Sequence, residues 1–540
     1  MRGIGVMIRA VAAGLVVGLG GCQLIAGVKD AVPYPADGGA GGGATMCAAG
    51  TTKSCYSGPK GTEGVGICKA GEQVCRGDGA GYEECSGEVT PKVESCAGAE
   101  DEDCDGHDCV QWAELFGDGA YQFVTDVAID SNGNIYVTGV FSGSITFGDQ
   151  TLISAGAVDI FLLKLDPTGK PLWGKQFGDG DYQEGPKIAV DSLGNAYLAG
   201  RSATPIDLGG TLASAGLFVA KLSSDGKHLW SKGLTTKAGC SGSDSNVLDL
   251  ATTYQNDVVV GGYYCGTIDF GEGVIASNGG SRDGFIAKLK GEDGSVKSAD
   301  QTWGKVFGNA ESQELNGLAV DGVGNILVAG TFNGSISFAP GDSFSASGGS
   351  DAFVAKFTAA GLPSWRALLG DGADQSMRAI AVDSMGGPVV MGSFEGTVDF
   401  GGVKTTTGTS FIAKYDSDGG YKWSKIITTM AAPASVMMDS AGNAILAGVF
   451  VGSIDLGQPP LNATGNGIET FAAKLTATGA LSWNKRFGDD MSGLGAGASV
   501  AITMAGEPIL AGSVAGTIDF GAGILTPAGG VDVFIAKLSP

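Results

Sequence analysis

Between Asp101 and Cys109 the chain reads DEDCDGHDC, and Asp101, Asp103 and Asp105 alternate ahead of Gly106. Carboxylate oxygens at every second position converge on a hard cation, and the glycine permits the sharp turn between them. The place of the bidentate Glu of an EF-hand is taken by Trp112, which excludes an EF-hand; Asp108 would complete a shorter loop. Ca2+ is the one cofactor these residues suggest, and the competing reading is an acidic, solvated turn between disulfides. A second oxygen set, Asp130, Asn132 and Asn134 in DSNGN, loses its middle member to Leu193, Val323, Met385 and Ala441 in later copies. A ligand position does not tolerate Leu, so this Asp–Gly pattern reads as a tight hairpin. A third set, Asp118, Asp179 with Asp181, Asp371 with Asp374, and Asp489 with Asp490, predicts an acidic face, either a merely solvated rim or a place for cation or partner contacts.

Eleven cysteines carry the remaining chemistry. Cys47, Cys55, Cys68, Cys75, Cys85, Cys96, Cys104 and Cys109 crowd a segment too short to build a sufficient core, and predict a disulfide framework of an oxidising compartment, its pairing open. Cys240 and Cys265 are expected to pair within one later repeat. Zinc would need paired CxxC or Cys/His spacing, which the intervals do not supply. At the N-terminus, Arg2 and Arg9 precede an apolar run from Ala10 to Leu19, the layout of an export signal too short to span a bilayer. The next residues, LGGC, resemble a bacterial lipobox. That resemblance implies cleavage before Cys22 and acylation of Cys22, with Gln23 pointing to the outer membrane.

A net charge of −24 without any basic stripe argues against nucleic acid as a partner. Two histidines, His107 and His228, leave little room for His-based acid/base or triad schemes.

These residues sit on a repeat. The turn DSNGN at Asp130 returns as DSLGN, DGVGN, DSMGG and DSAGN, and seven FxxK elements begin at Phe161, Phe218, Phe285, Phe353, Phe411, Phe471 and Phe534. Each unit reads strand, turn, strand (IYVTGVF), long Gly/Ser-rich connection, strand (DIFLLKL), turn, strand (LWGKQFG), with no competing helical period. The seven tryptophans, Trp112, Trp173, Trp230, Trp303, Trp365, Trp423 and Trp483, each open the same strand at intervals of 57 to 73 residues. This predicts an all-β protein, a seven-bladed β-propeller of four-stranded antiparallel blades. The last FxxK, at Phe534, has no Trp strand after it. Trp112–Phe116, ahead of the first blade, is therefore expected to be the outer strand of the last one, closing the ring. The Lys of each FxxK is expected to be structural. The predicted organisation is a signal peptide at 1–21, a lipidated Cys22 with a Gly-rich tether to 46, a disulfide module at 47–109 and a propeller at 110–540.

The segments AVDSLGNAYLAG, DGFIAKL and WGKVFG resemble the SBBP family of β-propeller repeats in bacterial exported proteins, which implies the fold and no single activity. The Cys-rich segment resembles modules of bacterial surface proteins, including MopE-like ones, and that resemblance implies a metal-binding motif. LDPTGKPLW resembles a docking repeat of PQQ dehydrogenases, but no Cys-Cys pair occurs and LSSDGKHLW, FTAAGLPSW and LTATGALSW do not keep the pattern. The expected function is non-enzymatic: an envelope lipoprotein, membrane-bound through its lipid, whose propeller binds a protein or a glycan. The alternative is a propeller enzyme using the central channel, a quinoprotein-like oxidoreductase or a lyase.

Overall fold

A strand that is apolar on both faces needs cover on both faces, and this chain supplies it by stacking sheets radially. The computed structural model describes residues 47–540 apart from 93–95, 97–99, 105–108, 211, 239–244, 278–280, 297–302, 340, 407, 428–430, 458–459, 464–466, 489–495 and 522. Cys22, Cys240, Asp105 and Asp108 lie outside the described residues, as do the signal and tether segments.

Seven four-stranded antiparallel sheets follow Cys109. In the first blade strand A is Gln122–Ile129, B Ile135–Phe141, C Asp159–Leu165 and D Pro171–Phe177. Blades two to six repeat this order, with A strands beginning at Gln183, Asn246, Gln313, Gln375 and Ala431. The seventh combines A at Ala496–Ile502, B at Pro508–Val514 and C at Asp532–Leu538 with Val110–Phe116 as its D strand. The predicted closure is therefore present, with Trp112 opposite Lys537 and Phe116 opposite Val533. The seven A strands pack successively into a ring, the seventh against the first.

Burial follows position in the blade. Strand C of blade one is buried at every residue and strand B at all but one, whereas strand D alternates as an edge facing solvent. Each A–B hairpin turns on a glycine in the left-handed region, such as Gly133 at φ 80° and Gly324 at φ 87°; in blade three Asn256 takes that conformation at φ 62°.

The B–C connection, expected as one long loop, contains a short ribbon of its own in most blades. Ser144–Phe147 pairs with Gln150–Ile153, and Val398–Asp399 with Lys404–Thr405. The reason is the apolar residue ending each TxDFG-like segment: Phe147, Leu208, Phe270, Phe338, Phe400, Leu456 and Phe520 are all buried. Pinning that side chain into the blade fixes the connection's ends, and a two-residue ribbon satisfies its backbone.

By compactness the chain divides into two units, one containing 47–54 and 72–86, the other 55–71 and 87–540. In the first, Cys47 is bonded to Cys75; in the second, Cys68 to Cys104 and Cys96 to Cys109. Cys55, Cys85 and Cys265 are disulfide-bonded as well. No helix among the described residues is long and apolar enough to cross a membrane.

The C-terminal end of the ring carries a second fastening. The Ser539 N–H donates to the Cys109 carbonyl at 2.8 Å, and Cys96 Sγ lies 3.3 Å from the Ser539 carbonyl oxygen. Elsewhere a C–D turn follows strand C; here the Cys96–Cys109 disulfide stands in its place, against Trp483, Val110 and Leu538.

Deleting residues 111–117 removes no complete repeat, yet should lower the melting temperature and release amide protection along Asp532–Leu538 first. Melting and hydrogen exchange that match the intact chain would contradict the clasp.

Candidate functional site

The side chains that recur at fixed spacing are mostly consumed by the architecture. Asp130 stands at the start of the A–B turn, where its Oδ1 accepts the N–H groups of Asn132 and Asn134, both at 2.9 Å. Its Oδ2 faces Lys164 Nζ at 3.6 Å, from the FxxK strand. The pair recurs as Lys221–Asp191 at 3.0 Å, Lys356–Asp321 at 3.1 Å, Lys414–Asp383 at 2.6 Å and Lys474–Asp439 at 3.2 Å. In blades three and seven the turn begins with Thr253 or Thr503, and the acid moves to the fifth position as Asp257 or Glu507. Lys288 meets Asp257 at 3.6 Å and Lys537 meets Glu507 at 2.9 Å. Each blade thus holds one buried ion pair, and a buried acid with a matched ammonium is the condition for either to remain. Burial lowers the Lys414 ammonium from its usual value. Burial also opposes ionisation of Asp383, but the bonds from Lys414 and the turn amides hold its carboxyl below the usual value.

The same lysine and the blade's Trp reach the next blade. Lys164 Nζ and Trp173 Nε1 both donate to the Ser224 carbonyl, at 3.0 and 3.2 Å, and Lys221 with Trp230 do the same at Gly291, at 3.0 and 3.1 Å. Trp303, Trp365 and Trp423 donate to Ala359, Ser417 and Ala477 at 3.2, 2.8 and 2.9 Å. The indoles lie on the glycine of the neighbouring C–D turn, where a Cβ on Gly169 would come 2.9 Å from Trp112 and one on Gly479 2.7 Å from Trp423. The tryptophans are blade-to-blade latches.

The acidic rim differs from its sequence reading. Asp118 Oδ1 accepts the Ala120 N–H and the Gln122 amide, both at 2.8 Å, and Oδ2 accepts the Ser144 N–H at 2.8 Å and hydroxyl at 2.6 Å. Asp179 and Asp371 make corresponding bonds to Gln183 and Gln375. These acids tie the D–A loop to the B–C connection on the face opposite the A–B turns. Gln122, Gln183, Gln313 and Gln375 are their buried partners, and the four-residue spacing from Asp118, Asp179, Asn309 and Asp371 is plain in FGDGAYQ, FGDGDYQ, FGNAESQ and LGDGADQ. Asp489 and Asp490 lie outside the described residues.

Of the calcium set, Asp101 and Asp103 are described, and the Asp101 carbonyl accepts the Ile67 N–H at 3.1 Å. Oxygens from all four aspartates would suit Ca2+.

The central channel encloses about 700 Å3 and is lined by all seven A strands. Each A strand carries a bulge where it passes a glycine of strand B, as between Val124 and Asp126 opposite Gly139. The bulges aim polar residues inward, but most of these serve the ring. Asp126 accepts the Ile188 N–H at 3.1 Å and the Ser499 hydroxyl at 3.2 Å, Asp249 accepts the Leu318 N–H at 2.7 Å, and Lys187 donates to the Thr125 carbonyl at 3.1 Å. Burial raises the Asp249 carboxyl to about 7 against the pull of Lys187, with Asp126 adding to the rise. No Tyr or His among the described residues lines the channel.

One group of hairpin-tip residues is largely uncovered, in the third place of the turn in blades two, four and five and in the second in blades three and seven. At the tips of the A–B hairpins, Leu193, Tyr254, Val323, Met385 and Met504 are 70, 64, 69, 82 and 84% exposed. Antiparallel strands put all A–B turns on one face, so these five side chains crown one mouth of the channel.

Replacing Lys414 with Met strands Asp383 without its cation and should cost about 3–5 kcal/mol, whereas Lys422→Met, at a half-exposed pair with Asp416, should cost at most about 1 kcal/mol. Chemical denaturation of the two variants checks this, and equal losses would contradict it.

No curated protein matches the chain. Among solved structures it is similar to the WD40 domain of Neurospora crassa Pan2, at 9% identity and TM-score 0.36, over 77% of this chain and 89% of that one. It is also similar to Kuenenia stuttgartiensis hydrazine synthase, at 8% identity and TM-score 0.38 over 75% and 96% of the two chains. An ulvan lyase from a polysaccharide lyase family gives 12% identity and TM-score 0.38 over 77% and 97%. The family model described as SBBP, a β-propeller repeat, matches residues 111–140 and 172–207. Each matched segment runs from an outer Trp strand into the first hairpin of the next blade, the phase in which this chain begins its ring, so two segments of this seven-bladed propeller match the SBBP β-propeller repeat.

Proposed function

We propose that this propeller is a non-enzymatic binding scaffold of the bacterial envelope, and that its A–B face takes a protein partner. The observation that carries this reading is the crown of Leu193, Tyr254, Val323, Met385 and Met504. Single exposed apolar residues need no explanation, but large apolar side chains at the hairpin tips of five blades, third in the turn at Leu193, Val323 and Met385 and second at Tyr254 and Met504, support reading this mouth as an interaction surface. Unbranched Met side chains adapt to a partner's contour. A partner matched to a chain of net charge −24 would be neutral or basic at its edges.

The alternative, an enzyme working in the channel, draws on Asp126, Lys187, Asp249 and Arg378, but the first three already serve backbone groups of neighbouring blades. Acylation at Cys22 would hold the scaffold at the membrane, the outer membrane by the residue after it, and the disulfides fit an oxidising compartment. Ca2+ at Asp101, Asp103, Asp105 and Asp108 would stiffen the segment ahead of the ring. A glycan remains the other class of ligand for the same scaffold.

The test is cross-linking on intact cells with the wild type and a Leu193→Lys, Met385→Lys, Met504→Lys variant, with and without a calcium chelator. The variant should melt like the wild type and lose the captured protein. Undiminished capture would overturn the crown as the docking face.

A further inference from the structure

At two blade junctions a glutamine amide is caught between two aspartates, and the donors do not balance. Gln122 Nε2 donates to Asp118 Oδ1 at 2.8 Å and to the Ser142 and Ser144 carbonyls, both at 3.4 Å. Its Oε1 must therefore face the other way, toward Asp532 at the start of strand C in the seventh blade. A Cβ added to Gly117 would stand 2.3 Å from Asp532 Oδ1 and 2.7 Å from Gln122 Oε1, so both oxygens border the space that the missing side chain leaves. Both are buried without a hydrogen-bond partner. The next junction repeats the arrangement with Asp179, Gln183 and Asp159: Gln183 Nε2 points to Asp179 Oδ1 at 3.3 Å, and Gly178 meets Asp159 Oδ1 and Gln183 Oε1.

Turning the amide over does not help, because its carbonyl would then face the carboxylate of Asp118 or Asp179. One amide has a donor side and an acceptor side; two carboxylates offer only acceptors. Nor is there solvent at these oxygens, for neither exposes surface that a water could touch. A hydrogen atom is the one donor that needs no added space.

We propose that Asp532 and Asp159 are held as neutral carboxylic acids, each donating its proton to the amide oxygen of Gln122 or Gln183, so that two junctions of the ring, one of them at the clasp, are proton-locked. The proton belongs on these acids rather than on their opposites. Asp532 and Asp159 each receive a backbone N–H on Oδ2 only, from Ala528 at 2.7 Å and Ala155 at 2.6 Å. Asp118 receives bonds on both oxygens, as does Asp179, whose Oδ2 takes the Thr204 hydroxyl at 2.7 Å. Burial raises the carboxyl of Asp532, with Asp118 adding to the rise, and burial raises that of Asp159, with Asp179 adding. Among the described residues no cation acts on either. At the junction of the fourth and fifth blades, by comparison, Gln375 Oε1 already accepts the Asp371 N–H at 3.1 Å, and the lock is incomplete.

A carboxyl whose value rises on folding contributes its stability fully below the unfolded value, about 4, and loses it as pH rises through the folded value. Asn at both positions supplies a permanent N–H donor to the glutamine. The double variant Asp159→Asn, Asp532→Asn should therefore melt above the wild type at pH 8, with the gap shrinking toward zero as pH falls to about 4. As a second readout, the infrared band of protonated carboxylic acid at about pH 5, where ordinary aspartates are ionised, should be weaker in the variant than in the wild type. A variant that melts lower at pH 8, a pH-independent gap, or an acid band of unchanged strength would each overturn the proposal. Should the variant not fold, absence of the acid band in the wild type at that pH would do so.

Discussion

The ring depends on a buried lysine that three partners share. It rises from strand C, neutralises the carboxylate that shapes its own blade's A–B turn, and in several blades donates to a carbonyl of the next blade's C–D turn beside the tryptophan indole. An ammonium in such a place is stable only while the carboxylate is there, and the carboxylate only while the ammonium is. The turn, the blade and the junction to the next blade therefore form together. This coupling explains why FxxK is the most faithful element of the repeat, more faithful than the apolar residues around it, which can exchange Leu for Ile or Val at little cost.

Much of this was legible in the chain, because seven copies allow each position to be compared with itself. The blade count, the orphan Trp strand and the four-strand order followed from FxxK and Trp being out of phase. The chemistry between copies was harder to see. Lys164 and Asp130 are far apart in sequence and belong to different motifs, so nothing local says that they touch; yet the exchange of Asp for Thr at Thr253 and Thr503, each accompanied by a new acid four residues on, is a compensation written in the sequence. The Asp118 rim misled for the opposite reason. Acidity at a loop suggests solvent, whereas Gln122 and Ser144, which absorb Asp118, are recognisable only once the B–C connection is known to return beside the D–A loop. The disulfide at Cys96 and Cys109 was predicted only as a member of a set; its place beside strand C of the seventh blade shows only through the contacts of both cysteines with Ser539.

The two faces of the ring consequently differ in kind. On one, D–A loops and B–C connections knit themselves together through Asp–Gln bonds and leave few groups free. On the other, the ion pairs are buried beneath the hairpins while the hairpin tips stay apolar and uncovered. The channel between them is narrow in chemistry, since its bulge residues mostly cap neighbouring backbone amides. Polar groups spent on holding blades together and apolar hairpin tips left uncovered at one mouth suit the binding role proposed for this ring.

The central claim is that each blade needs one carboxylate for its lysine and is indifferent to which end of the turn supplies it. Melting of Asp321→Thr, Asn325→Asp and the double variant in blade four tests this directly, because the double variant rebuilds there the arrangement that Thr253 and Asp257 have in blade three. The account predicts that Asp321→Thr is strongly destabilised and that adding Asn325→Asp restores most of the loss. A double variant no more stable than Asp321→Thr alone would contradict it.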